Sequence, residues 1–267
     1  MQEVHQPIPK LEGKGLVMGR PAYTNDLAPQ NALVLKVLRS PHAFARITKI
    51  DAQKAAAVPG VVCILTYKDL PRTVHTRAGQ GYPEPSPYDK FVLDEYVRYC
   101  GDEAAVVAAV SEQAASTARD LIEIDYEILP PVLDFETAQG NPSVIHFEPE
   151  VSSNFEIGLN ARQNIAAAYE MEVGNTAGVL ACCEVVVKER FYTQAQAHVM
   201  MEPHVSAAYI DMHGRLTVIS STQTPFHVRR IISKVLDVPT RNIRVIKPRI
   251  GGGFGGKIGR ASCRERV

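Results

Sequence analysis

A chain of 267 residues with 29 basic and 29 acidic side chains carries no formal net charge, so no global field recruits nucleic acid or an anionic membrane. The length accommodates two ordinary domains and a sizeable core. The longest wholly apolar run, Ala104–Val110, is far shorter than the about 20 residues of a membrane span, and the opening MQEVHQPIPKLEGKG has no apolar signal core, so a cytoplasmic protein is expected.

The cysteines point the same way. Cys63, Cys100, Cys182, Cys183 and Cys263 are odd in number and form no C-x-x-C pair. That disfavours both a disulfide framework and a self-contained zinc or iron–sulfur site. The adjacent Cys182 and Cys183 are taken as strand residues.

In chain order, residues 1–31 are rich in turn formers. ALVLKVLRS (Ala32–Ser40) and ARITKIDA (Ala45–Ala52) are β-branched runs separated by Ser40-Pro41 and predict strands. DAQKAAAVPG predicts a short helix opened by Asp51 and stopped by Pro59-Gly60. VVCILTY (Val61–Tyr67) has the length of a buried strand. AGQGYPEPSPYDK is a Pro/Gly loop with no periodic face. EAAVVAAV (Glu103–Val110) predicts a central strand buried on both faces. SEQAASTARDLI predicts a helix capped by Ser111. In IEIDYEIL, Ile122, Ile124, Tyr126 and Ile128 alternate with acids, the pattern of a half-buried strand. The expected result is one α+β domain over about residues 12–135.

Residues 136–175 are turn-rich and low in pattern, so an extended linker is expected there. Strand-like sequence resumes at CCEVVVKERFYTQ, VSAAYID and RLTVISS. TPFHVRRIISKVLDVP then predicts a helix, with Thr224 as cap and Pro225 at the first helical position. Val228, Ile231, Ile232, Val235 and Leu236 would share its apolar face. NIRVIKPRI predicts a strand running into GGGFGGK (Gly251–Lys257).

That glycine run matches the G-x-x-x-x-G-K of a phosphate-gripping loop, but Ile258 stands where a magnesium-binding hydroxyl is needed and no helix follows. Phe254 among five glycines calls for an apolar seat. Seating it would fix the backbone and leave small neighbours with exposed N–H donors, the parts of an anion- or oxo-binding loop. A plain flexible loop is the alternative. Gln196, His198, Glu202 and His204 cluster in QAQAHVMMEPH. Zinc is conceivable, but Pro203 and strand-like surroundings favour buried, hydrogen-bonded polar residues. Arg229, Arg230, Arg241, Arg244, Lys247 and Arg249 favour a solvated face or subunit contact over nucleic acid.

Taken together and in order, VMGRPAYTNDL, LRSPHAFARITKIDAQKAAAVPGVVCILTYKDL, YDKFVLDEYVRYCGDEAAVVAA and IDYEILPPVLD resemble the entry domain of molybdenum hydroxylases, the a/b hammerhead domain of the xanthine dehydrogenase and aldehyde oxidase family. QAQAHVMMEPH, VISSTQTPFHVRRIISKVLDVP and RVIKPRIGGGFGGK resemble the start of the molybdopterin-binding α+β domain that follows. The resemblance covers about residues 12–257, and it is close to the molybdenum-binding subunit of bacterial xanthine dehydrogenases. It implies a hammerhead domain at 12–135, a linker at 136–175, and the start of a molybdopterin-binding domain at 176–257. It also implies that Gly253, Phe254 and Gly255 bring their backbone to the metal's apical oxo group and that Gln196 donates to the same region. The implied chemistry is hydroxylation of an electron-poor carbon, such as that of a purine or related N-heterocycle, with water as oxygen source. The implied cofactors are molybdenum–molybdopterin, in its cytosine dinucleotide form, with FAD and 2Fe-2S clusters on partner subunits. Aldehyde-, nicotinate- or CO-oxidising members, or an inert scaffold or docking piece, are the alternatives. Neither a catalytic base nor a protein metal ligand is expected in this chain, because the family's base lies beyond the glycine loop. Residues 258–267, IGRASCRERV preceded by Lys257, depart from the family pattern and are expected to be a non-native or truncation tail. The chain by itself is therefore expected to be inactive.

Overall fold

The computed structural model describes residues 6–77 and 81–258. Of the expected tail only Ile258 falls among them, and Cys263 lies outside the described residues.

After two short helices, α1 (Gly13–Val17) and α2 (Thr24–Leu27), come β1 (Val34–Arg39), β2 (Ala45–Asp51), the one-turn helix α3 (Gln53–Ala56) and β3 (Val61–Thr66). They are followed by β4 (Tyr96–Val97), β5 (Glu103–Ala109), α4 (Glu112–Asp120) and β6 (Glu123–Ile128). The strands form two three-stranded sheets, β1-β5-β3 and β4-β2-β6, antiparallel throughout. The expected central strand is central: β5 lies between β1 and β3, and six of its seven residues are buried. Alanine makes this possible. Ala114, Ala115 and Ala118 on α4 meet Ala105, Val107 and Ala109 on β5, and small side chains on both faces let the helix approach the sheet closely. Ser111 caps α4 through its side chain, which accepts from the Ala114 amide at 3.2 Å. One expectation fails at the sheet edge. Ile128 is exposed rather than inward, because β6 has a neighbour only in β2 and ends opposite Ala45.

The expected linker is only partly a free span. Arg98, its side chain 7 % exposed, pairs with Asp94 at 2.9 Å and with Glu148, and donates to the Ile145 carbonyl at 3.2 Å. Asn164, in the left-handed region at φ 57°, donates to the carbonyls of Ala138 and Ser143 and accepts from the Ile145 amide. Tyr88 and Ser152 pair through their backbones. Residues 141–166 therefore dock back on the first domain.

The next stretch corrects an expectation outright. CCEVVVKERFYTQ is not a strand. The short helix α5 (Thr176–Ala181) ends at Cys182, and the chain runs irregular and exposed through residue 199. Its β-branched composition is strand-like, but a strand exists through ladder hydrogen bonds to a neighbour, and no strand among the described residues pairs with it. Val185, Val187, Phe191 and Tyr192 are left exposed.

The second unit consists of β7 (Ser206–Ile210), β8 (Leu216–Ser220), α6 (Pro225–Leu236) and β9 (Ile243–Ile246). β7 and β8 form an antiparallel hairpin, and β8 and β9 run parallel, joined by α6. Val228, Ile231 and Val235 bury the apolar face of α6 as its spacing predicts, although Leu236 is exposed. His227 is buried with them. Its offset of four from Ile231 and eight from Val235 places it on that face, a signal that counting only apolar residues misses. No helix among the described residues is long and apolar enough to cross a membrane.

Two predictions follow from this packing. Trypsin or chymotrypsin at low ratio should cut first within residues 169–199 and leave a first-domain core that includes residues 141–166. Mass spectrometry of the products would show otherwise if the earliest cuts fell at 141–166. The second prediction concerns pH. Burial, reinforced by Arg77 and Lys90 beside His75 and by Arg98 and Lys90 beside His146, holds both imidazoles down at about 4 against an ordinary 6.5. Between those values the unfolded chain binds more protons than the folded one, so stability falls as pH drops from about 6.5 to about 4. Urea midpoints measured across that window should decline, and His146→Asn should flatten the decline.

Candidate functional site

Both ends of the glycine run converge on one carboxylate. Glu202 Oε2 accepts from the Gly251 amide at 2.8 Å and from Lys257 Nζ at 2.6 Å, while the Glu202 amide donates to the Gly251 carbonyl at 3.2 Å. The Lys257 side chain is 0 % exposed. A β-carbon on Gly251 would lie 2.7 Å from Glu202 Cβ, so only glycine allows this approach. Between the anchors, the Gly256 amide donates to the Gly253 carbonyl at 2.7 Å across Phe254 and Gly255, whose φ values are 46° and 87°. This is a turn of the type I′ class. Glycine accepts such angles freely. Phenylalanine does so at a cost of order 1 kcal/mol or more.

The expected apolar seat for Phe254 is absent. Phe254 is 78 % exposed, with its Cε2 3.6 Å from the β-carbon position of Gly252, because the left-handed turn aims the ring away from the packed side of the loop. The exposed donors do appear. Among the described residues, the amides of Gly252, Gly253, Phe254 and Gly255 have no acceptor within the chain.

The segment carrying Gln196 reaches the loop through other residues. His198 Nε2 is 3.7 Å from the β-carbon position of Gly255, Met200 approaches Gly252 and Gly256, and Glu202 anchors the loop ends. Gln196 is exposed and is not among the atoms nearest these glycines. A different glutamine is. Gln223 Oε1 lies 3.4 Å from the β-carbon position of Gly253, and the Gln223 amide donates to the Lys257 carbonyl at 2.9 Å. Next to it, the Thr224 hydroxyl makes no cap bond to α6. It donates instead to the Ile258 carbonyl at 2.6 Å. The segment entering α6 thus carries an amide side chain to the turn and braces the loop's exit. Gln223 gave no sequence signal beyond its place at a helix entry, since only folding brings residues 223 and 253 together.

The geometry engages several of the residues on which other readings of these motifs rest. A phosphate-binding loop needs its lysine free, and Lys257 is buried against Glu202. Glu202 Oε2 is thereby occupied while its Oε1 is buried without a partner, and no group of three or more His, Cys, Asp or Glu among the described residues could hold a metal ion. Three of the arginines are tied down: Arg229 to the Thr240 carbonyl, Arg230 to Glu84 and Arg249 to Glu12.

The family model for the aldehyde oxidase and xanthine dehydrogenase a/b hammerhead domain matches residues 18–130. The model for the molybdopterin cofactor-binding domain matches residues 158–265. The chain belongs to the xanthine dehydrogenase and aldehyde oxidase family of molybdenum hydroxylases. It is 36 % identical over 282 residues to "Probable hypoxanthine oxidase XdhD" of Escherichia coli O157:H7, covering 96 % of this chain and 29 % of that one. It is 31 % identical to the xanthine dehydrogenase molybdenum-binding subunit of the same organism, covering 90 % of this chain and 31 % of that one. Among solved structures, Cu,Mo-CO dehydrogenase in its carbon monoxide reduced state superposes with a TM-score of 0.78 at 30 % identity, covering 96 % of this chain and 32 % of that one. The chain therefore spans about a third of the length of these relatives.

The residues present fit the cofactor that this family binds. A molybdenum oxo or pterin oxygen is a compact acceptor. The turn offers consecutive backbone N–H groups without internal acceptors, in the left-handed geometry that forms anion-binding concavities, and the side chain of Gln223 stands beside it.

Replacing Lys257 by Met should release the loop. The variant leaves the Glu202 carboxylate buried without its cation, a change that costs about 3–5 kcal/mol in comparable buried pairs. Urea unfolding would measure it, with the double change Lys257→Met, Glu202→Gln recovering part of the loss. A Lys257→Met midpoint equal to that of the wild type would show that the pair does not hold the loop.

Proposed function

We propose that this chain supplies the hammerhead domain and the first part of the molybdopterin-binding domain of a xanthine dehydrogenase-like molybdenum-binding subunit. The substrate is a purine or related N-heterocycle, hydroxylated at an electron-poor carbon with water as oxygen source. The observation that carries the proposal is the type I′ turn Gly253–Gly256, set in a glycine run whose ends, Gly251 and Lys257, are both held by Glu202, and presenting amides without internal acceptors.

When bound, molybdenum–molybdopterin, in its cytosine dinucleotide form, supplies the redox chemistry. The protein's share is orientation and electrostatics. The amides of Phe254 and Gly255, with Gly253 as the pivot of the turn, donate toward the oxo side of the cofactor. Gln223, whose Oε1 faces Gly253, would turn its Nε2–H donor to the same region. Donors fixed before the reaction stabilise developing charge without reorganising, and the buried Lys257–Glu202 pair does the fixing. Gln196, which the family resemblance singles out, is exposed just upstream of His198, and it shares this role only if sequence packed over it turns it toward the loop. Electrons leave through 2Fe-2S clusters to FAD on partner subunits in the cytoplasm. Resemblance to the purine-oxidising relatives favours an N-heterocycle over an aldehyde, nicotinate or CO.

The test is a pair of substitutions in the full-length subunit assembled with its partners. Gln223→Ala should lower kcat by about 10²–10³, the cost of one lost donor at such a site, while Gln196→Ala changes it less. Molybdenum content, measured in parallel, should stay at the wild-type level in both. The 267-residue chain alone is the control and should hold no molybdenum. Unchanged turnover in Gln223→Ala with molybdenum in place removes Gln223 from the site, and the reverse ranking restores Gln196. A full-length protein that binds no molybdopterin overturns the reading.

A further inference from the structure

Glu84 lies in the loop that leads to β4 and belongs by sequence to the first domain, yet its partners are on α6. Its carboxylate is 2 % exposed. Oε1 accepts from Arg230 Nε at 3.0 Å, from Arg230 Nη2 at 2.9 Å and from His227 Nδ1 at 3.2 Å. Oε2 accepts from the Tyr88 hydroxyl at 2.6 Å, and that hydroxyl accepts in turn from Asn154 Nδ2 at 2.9 Å. Arg230 also donates to the Gly81 carbonyl at 3.2 Å and lies 4.8 Å from the centre of the Tyr82 ring. Lys234, one turn further along α6, stands 3.9 Å from the centre of the Tyr88 ring. Burial pushes the Glu84 carboxyl up, but the bonds from Tyr88, Arg230 and His227 outweigh it and hold the group at about 2, so it is charged under all ordinary conditions.

The residues it grips stand three and six positions along from Thr224. That threonine and Gln223 are the two residues hydrogen-bonded to the carbonyls of Ile258 and Lys257. A continuous mechanical path therefore runs from Glu84 through His227 and Arg230 to the entry of α6 and on to the exit of the glycine turn. The path crosses between segments 143 and 146 residues apart in sequence. A neutral packing contact would allow α6 to slide or rotate. A buried carboxylate with four fixed donors allows one arrangement, because any shift strands a charge in a site closed to water.

We propose that Glu84 is a positioning residue, through which the hammerhead domain sets the placement of α6 and hence of Gln223 and the glycine turn. It does not touch the reacting atoms. The mechanical part of this proposal stands without the cofactor, and its consequence for turnover rests on the molybdenum reading given above.

The experiment is amide hydrogen exchange on this chain, comparing wild type with Glu84→Gln and Arg230→Met. The reporters are the bonded amides of Gln223, Gly251 and Gly256, with the amides of β5 as the reference for global folding. In both variants the three reporter amides should exchange about tenfold faster while β5 is unchanged. Reporters that stay at wild-type rates, whether or not the α6 amides respond, overturn the proposal. If Glu84→Gln accelerates β5 as well, it has unfolded the domain, and Arg230→Met alone decides by the same criterion. In the full-length enzyme, Glu84→Gln should lower kcat about tenfold with KM and molybdenum content within twofold of wild type. A wild type without molybdenum-dependent turnover would defeat the functional reading and leave the exchange result standing.

Discussion

The carboxylate of Glu202 is the fixed point around which the second unit is arranged. It takes the loop's first amide and its last side-chain cation at once, so seven residues of glycine-rich backbone are held at both ends by a single group. Without that anchor the run would be the most flexible part of the chain, since glycine has more conformational freedom to lose than any other residue. With it, the freedom is spent on close approach at Gly251 and Gly256 and on the left-handed turn at Phe254 and Gly255. The lysine that gives the run its likeness to a nucleotide loop serves the opposite purpose, facing inward.

Strain collects on both sides of this junction. Phe254 in the loop and Val199 in the facing segment both adopt positive φ, and for a β-branched residue that is a true outlier. Such angles persist where surrounding contacts over-determine the backbone, and they concentrate at functional sites. Here the contacts are the Glu202 clamp, the packing of Met200 on Gly252 and Gly256, and the hydrogen bonds from Gln223 and Thr224. Glu84 extends the same bracing to the first domain. Two domains that are separate in the sequence pattern thus share one polar framework around the turn. The first domain takes part in the site's geometry: the Ala22 carbonyl accepts from the Arg249 amide at 3.0 Å, and Tyr23 Cε1 lies 3.6 Å from the β-carbon position of Gly251.

The hammerhead domain was largely legible in advance because its elements are decided locally. β5 is apolar from Ala104 onward with turn signals on both sides, and α4 opens with a serine cap. Periodicity also placed α6 and its buried stripe. The failures share one cause. Residues 182–194 have strand composition but no strand beside them. The linker looked featureless because its order comes from Arg98, Tyr88 and Asn164 rather than from any repeat. Gln196 is singled out by the family resemblance, whereas Gln223, which stands beside the turn, carries no signal along the chain.

By itself, the sequence determined the class of the fold, the central strands and helices, the family likeness and the exposed donors of the glycine run. These depend on short-range rules: alternation, helical spacing, caps, and residues that only certain backbone angles accept. Tertiary structure alone decided that Lys257 faces inward to Glu202, that Gln223 rather than Gln196 stands beside the turn, that Thr224 braces the loop instead of capping α6, and that Glu84 grips α6 from the other domain. Each of those is a polar contact between distant parts of the chain. Its energy depends on burial and on a partner within hydrogen-bond reach, and neither quantity exists until the chain has folded.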